Sequence, residues 1–248
     1  MKTGKCISVL HHCLHPISRN VSWPFGSIAS WQALTEEKWA LEAVQIKDFA
    51  RDKHRTVDGP PSGGGAGLVM RPDVLDSALC SRQDARPLIY FTPRGAPIRQ
   101  SFVRDLANGP GFQVLCGRYE GVDQRILDKW QPLELSLGDF ILSGGEIAAL
   151  ALIDACVRLV PGVMGNASSG QEESFENGLL EYPLYTKPSV WDGREVPAVL
   201  LSGDHGAVET WRLDQSKALT QQRRPDLWAA YDHADPRMDR DDEKEPRS

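Results

Sequence analysis

Two glycine-rich turns, each at the end of a short hydrophobic run, constrain this chain more than any other feature. The first is 115–123 (LCGRYEGVD) and the second is 136–146 (SLGDFILSGGE). Glycine allows the backbone to adopt positive φ and to pass close to a bound ligand. Either turn alone is a weak signal, because most glycine turns are only turns. As a pair they predict a pocket whose walls are largely main chain.

Short apolar runs that alternate with helical patterns predict an α/β fold with a parallel central sheet. The predicted strands are 6–10, 41–46, 87–91, 113–116 and 133–135. The predicted helices between them are 72–80, 99–107 and 124–130. The best-defined helix is 144–160, where Ser143 and Glu146 fit a capping box and Pro161 ends the pattern.

That last helix is apolar nearly all round, which predicts that it is buried. Its charged residues, Glu146, Asp154 and Arg158, fall on one face because they are spaced by two turns and one turn. Arg158 therefore has two readings. It forms a structural ion pair with Asp154, or it serves a functional site that meets this face.

Composition limits the classes of protein that need to be considered. The chain has 248 residues, of which 41% are hydrophobic and 25% charged, as expected of a globular protein. No apolar run reaches the roughly 18 residues that span a bilayer, and no clear signal peptide is present, so we expect a cytoplasmic protein without a membrane partner. The net charge of −6 argues against DNA or indiscriminate nucleic-acid binding. It leaves room for an RNA site with locally basic residues.

No metal or nucleotide-phosphate motif is recognisable. The five cysteines are odd in number and form no CxxC pair, which favours reduced thiols. The segment 11–15 (HHCLH) has no partner elsewhere that completes a metal site, so no metal is expected. The glycine loop 59–67 contains neither of the common phosphate-binding patterns.

The character of the chain changes after residue 165. Small polar residues follow it, and helical patterns return at 206–219 and 224–231. We therefore predict a first domain over 1–165, a linker over 166–175 and a small helical domain over 176–235. The charge-dense tail, 236–248, is predicted to be disordered.

Several further motifs occur in a fixed order along the chain. They are DKHRTVDG at 52–59, LIDACVRLVPG at 152–162, EESFENGLLEYPLYTKP at 172–188, VPAVLLSGDH at 196–205 and WR at 211–212. With the two glycine turns, they resemble the bacterial tRNA (guanine-N1)-methyltransferases of the TrmD type, in the SPOUT class. The resemblance runs from about 33 to 227. Residues 10–30 depart from the family pattern.

The resemblance implies a fold and a methyl donor. The first domain would be a trefoil-knotted methyltransferase domain, and the C-terminal domain would be small and helical. S-adenosylmethionine would bind in the knot, with its adenine and ribose held by main chain. The residues implied to bind it are Thr92, Pro93, Gly117, Arg118, Tyr119, Glu120, Leu137, Gly138, Asp139, Phe140, Ile141, Leu142, Gly144 and Gly145.

The resemblance also implies an acceptor, N1 of guanine 37 next to the tRNA anticodon. This nitrogen carries a proton, so methylation needs a carboxylate base, and a cation near O6 helps. The family's base is an aspartate in a Glu-Asp-Ser-Phe segment, where this chain has Glu173. Arg158 matches the family's active-site arginine. The family is homodimeric, and the base comes from the partner subunit's linker.

The residues implied to contact tRNA are His54, Asp58, His205, Arg212 and Arg223. Two alternatives stay open at the level of the sequence. One is a knotted RNA methyltransferase with a different acceptor atom, such as a ribose hydroxyl. The other is a protein that binds tRNA or S-adenosylmethionine without turnover.

Overall fold

A computed structural model describes residues 5–11, 29–164 and 173–232. The chain divides into two compact units, Met1–Ala167 and Ser168–Ser248. Most of the divergent segment 10–30 lies outside the described residues, as do 166–172 of the predicted linker and the predicted tail. Within the described ranges, no helix is long and apolar enough to cross a membrane.

The first unit is built on a five-stranded sheet in which every pair of neighbouring strands is parallel. Its strands are β1 (Lys5–His11), β2 (Trp39–Gln45), β5 (Leu88–Pro97), β6 (Gly111–Leu115) and β7 (Leu133–Ser136). Their order across the sheet is β2-β1-β6-β5-β7. A separate antiparallel pair is formed by β3 (Asp58–Gly59) and β4 (Val69–Met70). The predicted α/β class with a parallel sheet is confirmed.

In the described part of this unit, five α-helices accompany the sheet. They are α1 (Ala29–Thr35), α2 (Pro72–Cys80), α3 (Gln100–Asn108), α4 (Gln124–Trp130) and α5 (Glu146–Val157). The last is shorter than the predicted 144–160, and the predicted capping box is wrong. Gly145, not Ser143, occupies the N-cap position, and it has no side chain with which to cap the helix. The carboxylate of Glu146 accepts a hydrogen bond from Arg118.

Strand alternation divides the core into two layers, one on each face of the sheet. Val9 and Val114 belong to the layer that includes α3 and α5. Their neighbours Leu10 and Leu115 belong to the layer that includes α2 and α4. All four side chains are buried, with at most 1% exposed. Both faces of these central strands are therefore covered, as expected of a parallel sheet.

The carboxyl ends of β5, β6 and β7 bring the glycine turns together. The ladder between β5 and β7 shifts register between Phe91 and Ala96. A Cβ on Gly95, inside this irregularity, would lie 2.4 Å from the backbone nitrogen of Leu135. Only glycine fits there, so the bulge at this edge of the sheet depends on that residue.

The second unit is mainly helical in the residues described. It contains a hairpin of β8 (Val190–Trp191) and β9 (Arg194–Glu195), followed by α6 (His205–Arg223) and α7 (Pro225–Asp232). Asp204 caps α6 by accepting a hydrogen bond from Ala207 N. The buried Thr220 hydroxyl donates to Ser216 O and accepts from Leu180 N, at 2.7 and 2.8 Å. This hydroxyl ties the segment before the hairpin to α6.

Candidate functional site

A cleft of about 610 Å³ opens at the carboxyl ends of β5, β6 and β7. This volume falls within the roughly 300–1,000 Å³ typical of small-ligand sites. Three stretches of chain form its wall: 90–94, 117–122 and 136–145 without Asp139. Ligands of open parallel sheets bind outside the carboxyl ends of the strands, and the cleft occupies this position.

The structure brings together all of the residues predicted to bind the methyl donor except one. Asp139 is exposed and does not line the cleft. The lining also includes residues that the sequence did not indicate as part of the pocket, namely Val69, Tyr90, Gln124 and Ala148. Of these, Tyr90 lies in the predicted strand 87–91, whereas Val69 and Ala148 carry no local signal of a site.

Main chain meets main chain where the two glycine turns cross. Gly145 N donates to Gly117 O at 2.9 Å, and Arg118 and Gly144 form an antiparallel bridge. A Cβ on Gly145 would lie 3.1 Å from Cys116 Cα. The peptide groups themselves therefore form this part of the wall, as the paired turns predicted.

Tyr90 supports the first turn from below. A Cβ on Gly117 would lie 2.8 Å from its ring, and one on Gly121 would lie 2.9 Å from its hydroxyl oxygen. Gly121 also has a φ of +110°, which disfavours any side chain. The turn therefore needs glycine at Gly117 for a steric reason, and at Gly121 for both a steric and a conformational reason.

A side-chain ion pair adds to the backbone contact between the turns. Arg118 Nε donates to Glu146 Oε1 at 2.9 Å. Glu146 is buried, and it is the first residue of α5. A carboxylate at a helix N-terminus is favoured by the helix dipole. The sequence predicted a different role for Glu146, as part of a capping box with Ser143.

Two buried groups at the cleft, the Cys116 thiol and the Tyr90 hydroxyl, are neutral near pH 7. Burial raises the pKa of the Cys116 thiol well above its usual range; the nearby Glu146 raises it further and Arg118 opposes this. Burial likewise raises the pKa of Tyr90. Neither group supplies a nucleophile near pH 7, so this part of the wall is suited to binding rather than to covalent chemistry.

The two residues predicted to be catalytic lie in different units. Arg158 is half-buried at the C-cap of α5, where its backbone nitrogen donates to Asp154 O. Glu173 is half-buried at the start of a turn in the second unit. Glu176 N donates to Glu173 O at 3.3 Å, and Ser174 Oγ accepts from Glu181 N at 3.0 Å. The turn is therefore held by its own hydrogen bonds.

The loop that carries His54 and Asp58 is organised around Asp52. This carboxylate accepts hydrogen bonds from His54 N and from both the backbone and the hydroxyl of Thr56. The bond from the Thr56 backbone is the main reason that the pKa of Asp52 is lowered. These hydrogen bonds to Asp52 fix the conformation of a loop that is exposed and basic.

This loop is connected to the glycine turns through one strand residue. Asp58 pairs with Met70 across the β3–β4 ladder. Met70 N donates to Gly121 O at 3.0 Å, and Met70 O accepts from Asp123 N at 3.2 Å. The predicted RNA-contact loop is thus connected to the rim of the cleft by backbone hydrogen bonds.

The remaining predicted RNA contacts, His205, Arg212 and Arg223, all lie on α6. Their positions differ by two and by three helical turns, so they share one face of the helix. Arg212 lies over the ring of Tyr182, with 4.7 Å between the guanidinium carbon and the ring centroid. Among the described residues, no group of His, Cys, Asp and Glu is arranged to hold a metal ion.

Two comparisons with known proteins, one with family models and one with individual proteins, lead to the same family. The family model described as tRNA (Guanine-1)-methyltransferase TrmD matches residues 13–230. The tRNA (guanine-N(1)-)-methyltransferases of Brucella ovis and of Brucella melitensis biotype 1 are each 56% identical over 208 residues. These matches cover 84% of this chain and 86% of each relative. The protein of the same name from Brucella suis is also 56% identical, with 85% of its length covered.

Proposed function

This chain belongs to the tRNA (guanine-1)-methyltransferase family of the TrmD type, and from that membership we propose that it methylates N1 of guanine 37 in tRNA with S-adenosylmethionine as methyl donor. The proposal includes a cytoplasmic location and a homodimer. The observation that carries it is the cleft where Gly145 N meets Gly117 O at 2.9 Å. A main-chain wall of this kind suits a ligand whose ring edges need both donors and acceptors.

The lining of the cleft fits the proposed donor. Peptide N–H and C=O groups can read the edge of an adenine ring, and apolar side chains such as Leu137 and Ile141 can contact its faces. S-adenosylmethionine, when bound, supplies an electrophilic methyl group. We assign its binding to Thr92, Pro93, Gly117, Arg118, Tyr119, Glu120, Leu137, Gly138, Phe140, Ile141, Leu142, Gly144 and Gly145. We leave Asp139 out because it does not line the cleft.

Removal of the N1 proton is assigned to Glu173. Methyl transfer places positive charge on the guanine unless N1 loses its proton, and a carboxylate within hydrogen-bond reach provides the base. Glu173 has the position of the family's aspartate, with one more methylene. Arg158 is assigned to the guanine O6, where negative charge develops as the proton leaves. The two residues would come from different subunits of the dimer.

The proposed architecture follows the family. Residues 1–165 would form the trefoil-knotted domain, 166–175 the linker, and 176–235 the helical domain that grips the anticodon arm, with 236–248 as a tail. A Cβ added to Gly145 would lie 3.1 Å from Cys116 Cα, so the two turns that would form the knot are in close contact. The proposed tRNA contacts are His54 and Asp58 in the first unit and His205, Arg212 and Arg223 on α6.

Single-turnover methylation with a radiolabelled methyl donor tests the proposal. The substrate is a tRNA transcript with guanine at positions 36 and 37, and the matched control has adenine at 37. We expect label in the first transcript alone, recovered as 1-methylguanosine after digestion. Label on a ribose hydroxyl would identify a different RNA methyltransferase. Binding of both ligands without transfer would identify a binding protein.

A further inference from the structure

A second cleft, of about 340 Å³, lies wholly within the second unit. Its most distinctive side chains are three aromatic residues and two cations: Tyr182, Tyr185, Trp211, Lys187 and Arg212. Its volume also falls in the range of small-ligand sites, roughly 300–1,000 Å³. Neither the methyl-donor cleft nor the proposed proton transfer uses it.

Contacts within the unit set the position of the aromatic side chains. The Thr220 hydroxyl on α6 accepts from Leu180 N, two residues before Tyr182. Arg212 on the same helix lies over the Tyr182 ring at 4.7 Å. The rings of Tyr185 and Trp211 are 6.2 Å apart and tilted by 59°. The cleft is therefore ordered without a ligand, which lowers the entropic cost of binding.

The charge and exposure of the lining indicate which ligand it fits. Among the described residues that line it are Lys187 and Arg212 but no Asp or Glu. At its rim, Tyr185 is 48% exposed and Leu184 is 76% exposed. Aromatic faces beside cations are the features with which proteins hold unstacked bases and their phosphates. The exposed rim suits one nucleotide of a larger RNA better than a molecule that must be enclosed.

We propose that this cleft binds one unpaired base of the substrate tRNA, other than the guanine that is methylated. The inference rests on the proposed function, since it takes tRNA as the ligand. The described part of the lining has no carboxylate, and guanine N1 needs a proton acceptor, which argues that the base is held there and not reacted. The base stacks on Tyr185 or Trp211, and the cations face its phosphate.

Substitutions at Tyr185 test the stacking in the full-length protein. Tyr185→Leu removes the ring, Tyr185→Phe keeps it, and Trp191→Leu removes an aromatic ring that is 65% exposed and lies outside the cleft. We expect Tyr185→Leu alone to weaken tRNA binding, by roughly 5- to 150-fold, the usual loss per stacked base. Binding of S-adenosylhomocysteine and the circular dichroism spectrum are expected to match those of the parent.

Abasic tRNAs identify the base. Transcripts that each lack one base of the anticodon loop are titrated against the parent and against Tyr185→Leu. At one position other than 37, the missing base is expected to weaken binding to the parent but not to weaken binding to the variant further, since the two changes remove the same contact. Additive losses at every position would overturn the proposal.

Three other outcomes would also overturn it. They are unchanged tRNA affinity in Tyr185→Leu, equal weakening by Trp191→Leu, and saturable binding of a free mononucleotide at Tyr185 without coupling to any tRNA base. Each leaves methylation by the parent intact, so it contradicts this inference alone. A parent that neither binds nor methylates tRNA contradicts the proposed function, and the inference fails with it.

Discussion

Arg118 Nε and Glu146 Oε1 are joined by a 2.9 Å hydrogen bond that crosses between the two glycine turns. Arg118 belongs to the turn after β6, and Glu146 is the first residue of α5. Only 8% of the Glu146 side chain is exposed, against 29% for Arg118. The pair therefore holds the second turn and the start of α5 against the first turn, beside the wall of the cleft.

Replacement of Glu146 tests this role. Glu146→Ala removes the acceptor and leaves the Arg118 guanidinium partly buried beside an apolar side chain. We expect the free energy of unfolding to fall by about 2 kcal/mol, and S-adenosylhomocysteine to bind more weakly. Glu146→Gln keeps a hydrogen-bond acceptor, so it should lose less stability and less affinity for S-adenosylhomocysteine. Denaturant unfolding measures the stability, and calorimetry measures the affinity. Asp139→Ala, at an exposed position, is the control. Equal losses of stability and affinity in Glu146→Ala and in the control would contradict the role.

Two glycines of the second turn should also differ in how well they tolerate a methyl group. A Cβ on Gly145 meets buried backbone at Cys116, 3.1 Å away, whereas one on Gly138 meets the ring of Phe140, which is 55% exposed and can move. Overpacking against a fixed neighbour costs about 1–3 kcal/mol. We expect Gly145→Ala to bind S-adenosylhomocysteine at least about tenfold more weakly than Gly138→Ala. Calorimetry measures the two affinities. Tighter binding by Gly145→Ala than by Gly138→Ala would show that the two turns are not fixed against each other.

Glu173 is tested by changes that separate basicity from size. Glu173→Gln keeps the shape of the side chain but cannot accept the N1 proton, so the single-turnover rate should fall by roughly 10²–10⁴-fold. Glu173→Asp should retain activity, because it restores the family's shorter carboxylate. Affinity for S-adenosylhomocysteine should hardly change in either variant. A Glu173→Gln rate within a few-fold of the parent would assign the base elsewhere, with Glu172, outside the described residues, as the next candidate.

Sharing of the site between subunits predicts complementation. Arg158→Ala and Glu173→Ala proteins should each be inactive, because each lacks one group in both sites of the dimer. Mixed under conditions in which subunits exchange, they should recover part of the parent activity, since one site of each heterodimer has both groups. As a control, each variant is incubated alone under the same exchange conditions and should stay inactive. Exchange shown by mass spectrometry without recovered activity would mean that each subunit supplies both groups to its own site.

Acid stability should depend on the pair of Asp84 and Arg86. Hydrogen bonding to Arg86 lowers the pKa of Asp84 to about 2 from its ordinary 3.8. A carboxylate with a lowered folded-state pKa stabilises the protein above about pH 4, and this contribution is lost as the pH falls toward 2. The difference in unfolding free energy between the parent and Asp84→Asn should therefore shrink from pH 5 to pH 3. Urea unfolding measures it, and a constant difference would contradict the linkage; Asp139→Asn is the control.

Much of the first unit could be predicted from local patterns. The predicted strands 6–10, 113–116 and 133–135 correspond to β1, β6 and β7 within a few residues. The predicted helices 72–80 and 124–130 coincide with α2 and α4. Apolar runs and helical periodicity involve residues that are close together in the chain, so they can be recognised without knowledge of the fold. The glycine turns could be recognised for a similar reason, because the backbone conformation of a turn depends mainly on the residues within it.

Other features depend on residues that are distant in sequence, and local patterns could not reveal them. Glu146 fits a capping box by its spacing from Ser143, yet burial beside Arg118 gives its carboxylate a stronger, charge-assisted partner. Val69 joins the cleft only because β4 meets the first glycine turn. Packing between separate segments decides such contacts, and it can override a local preference whenever the long-range partner is charged or buried.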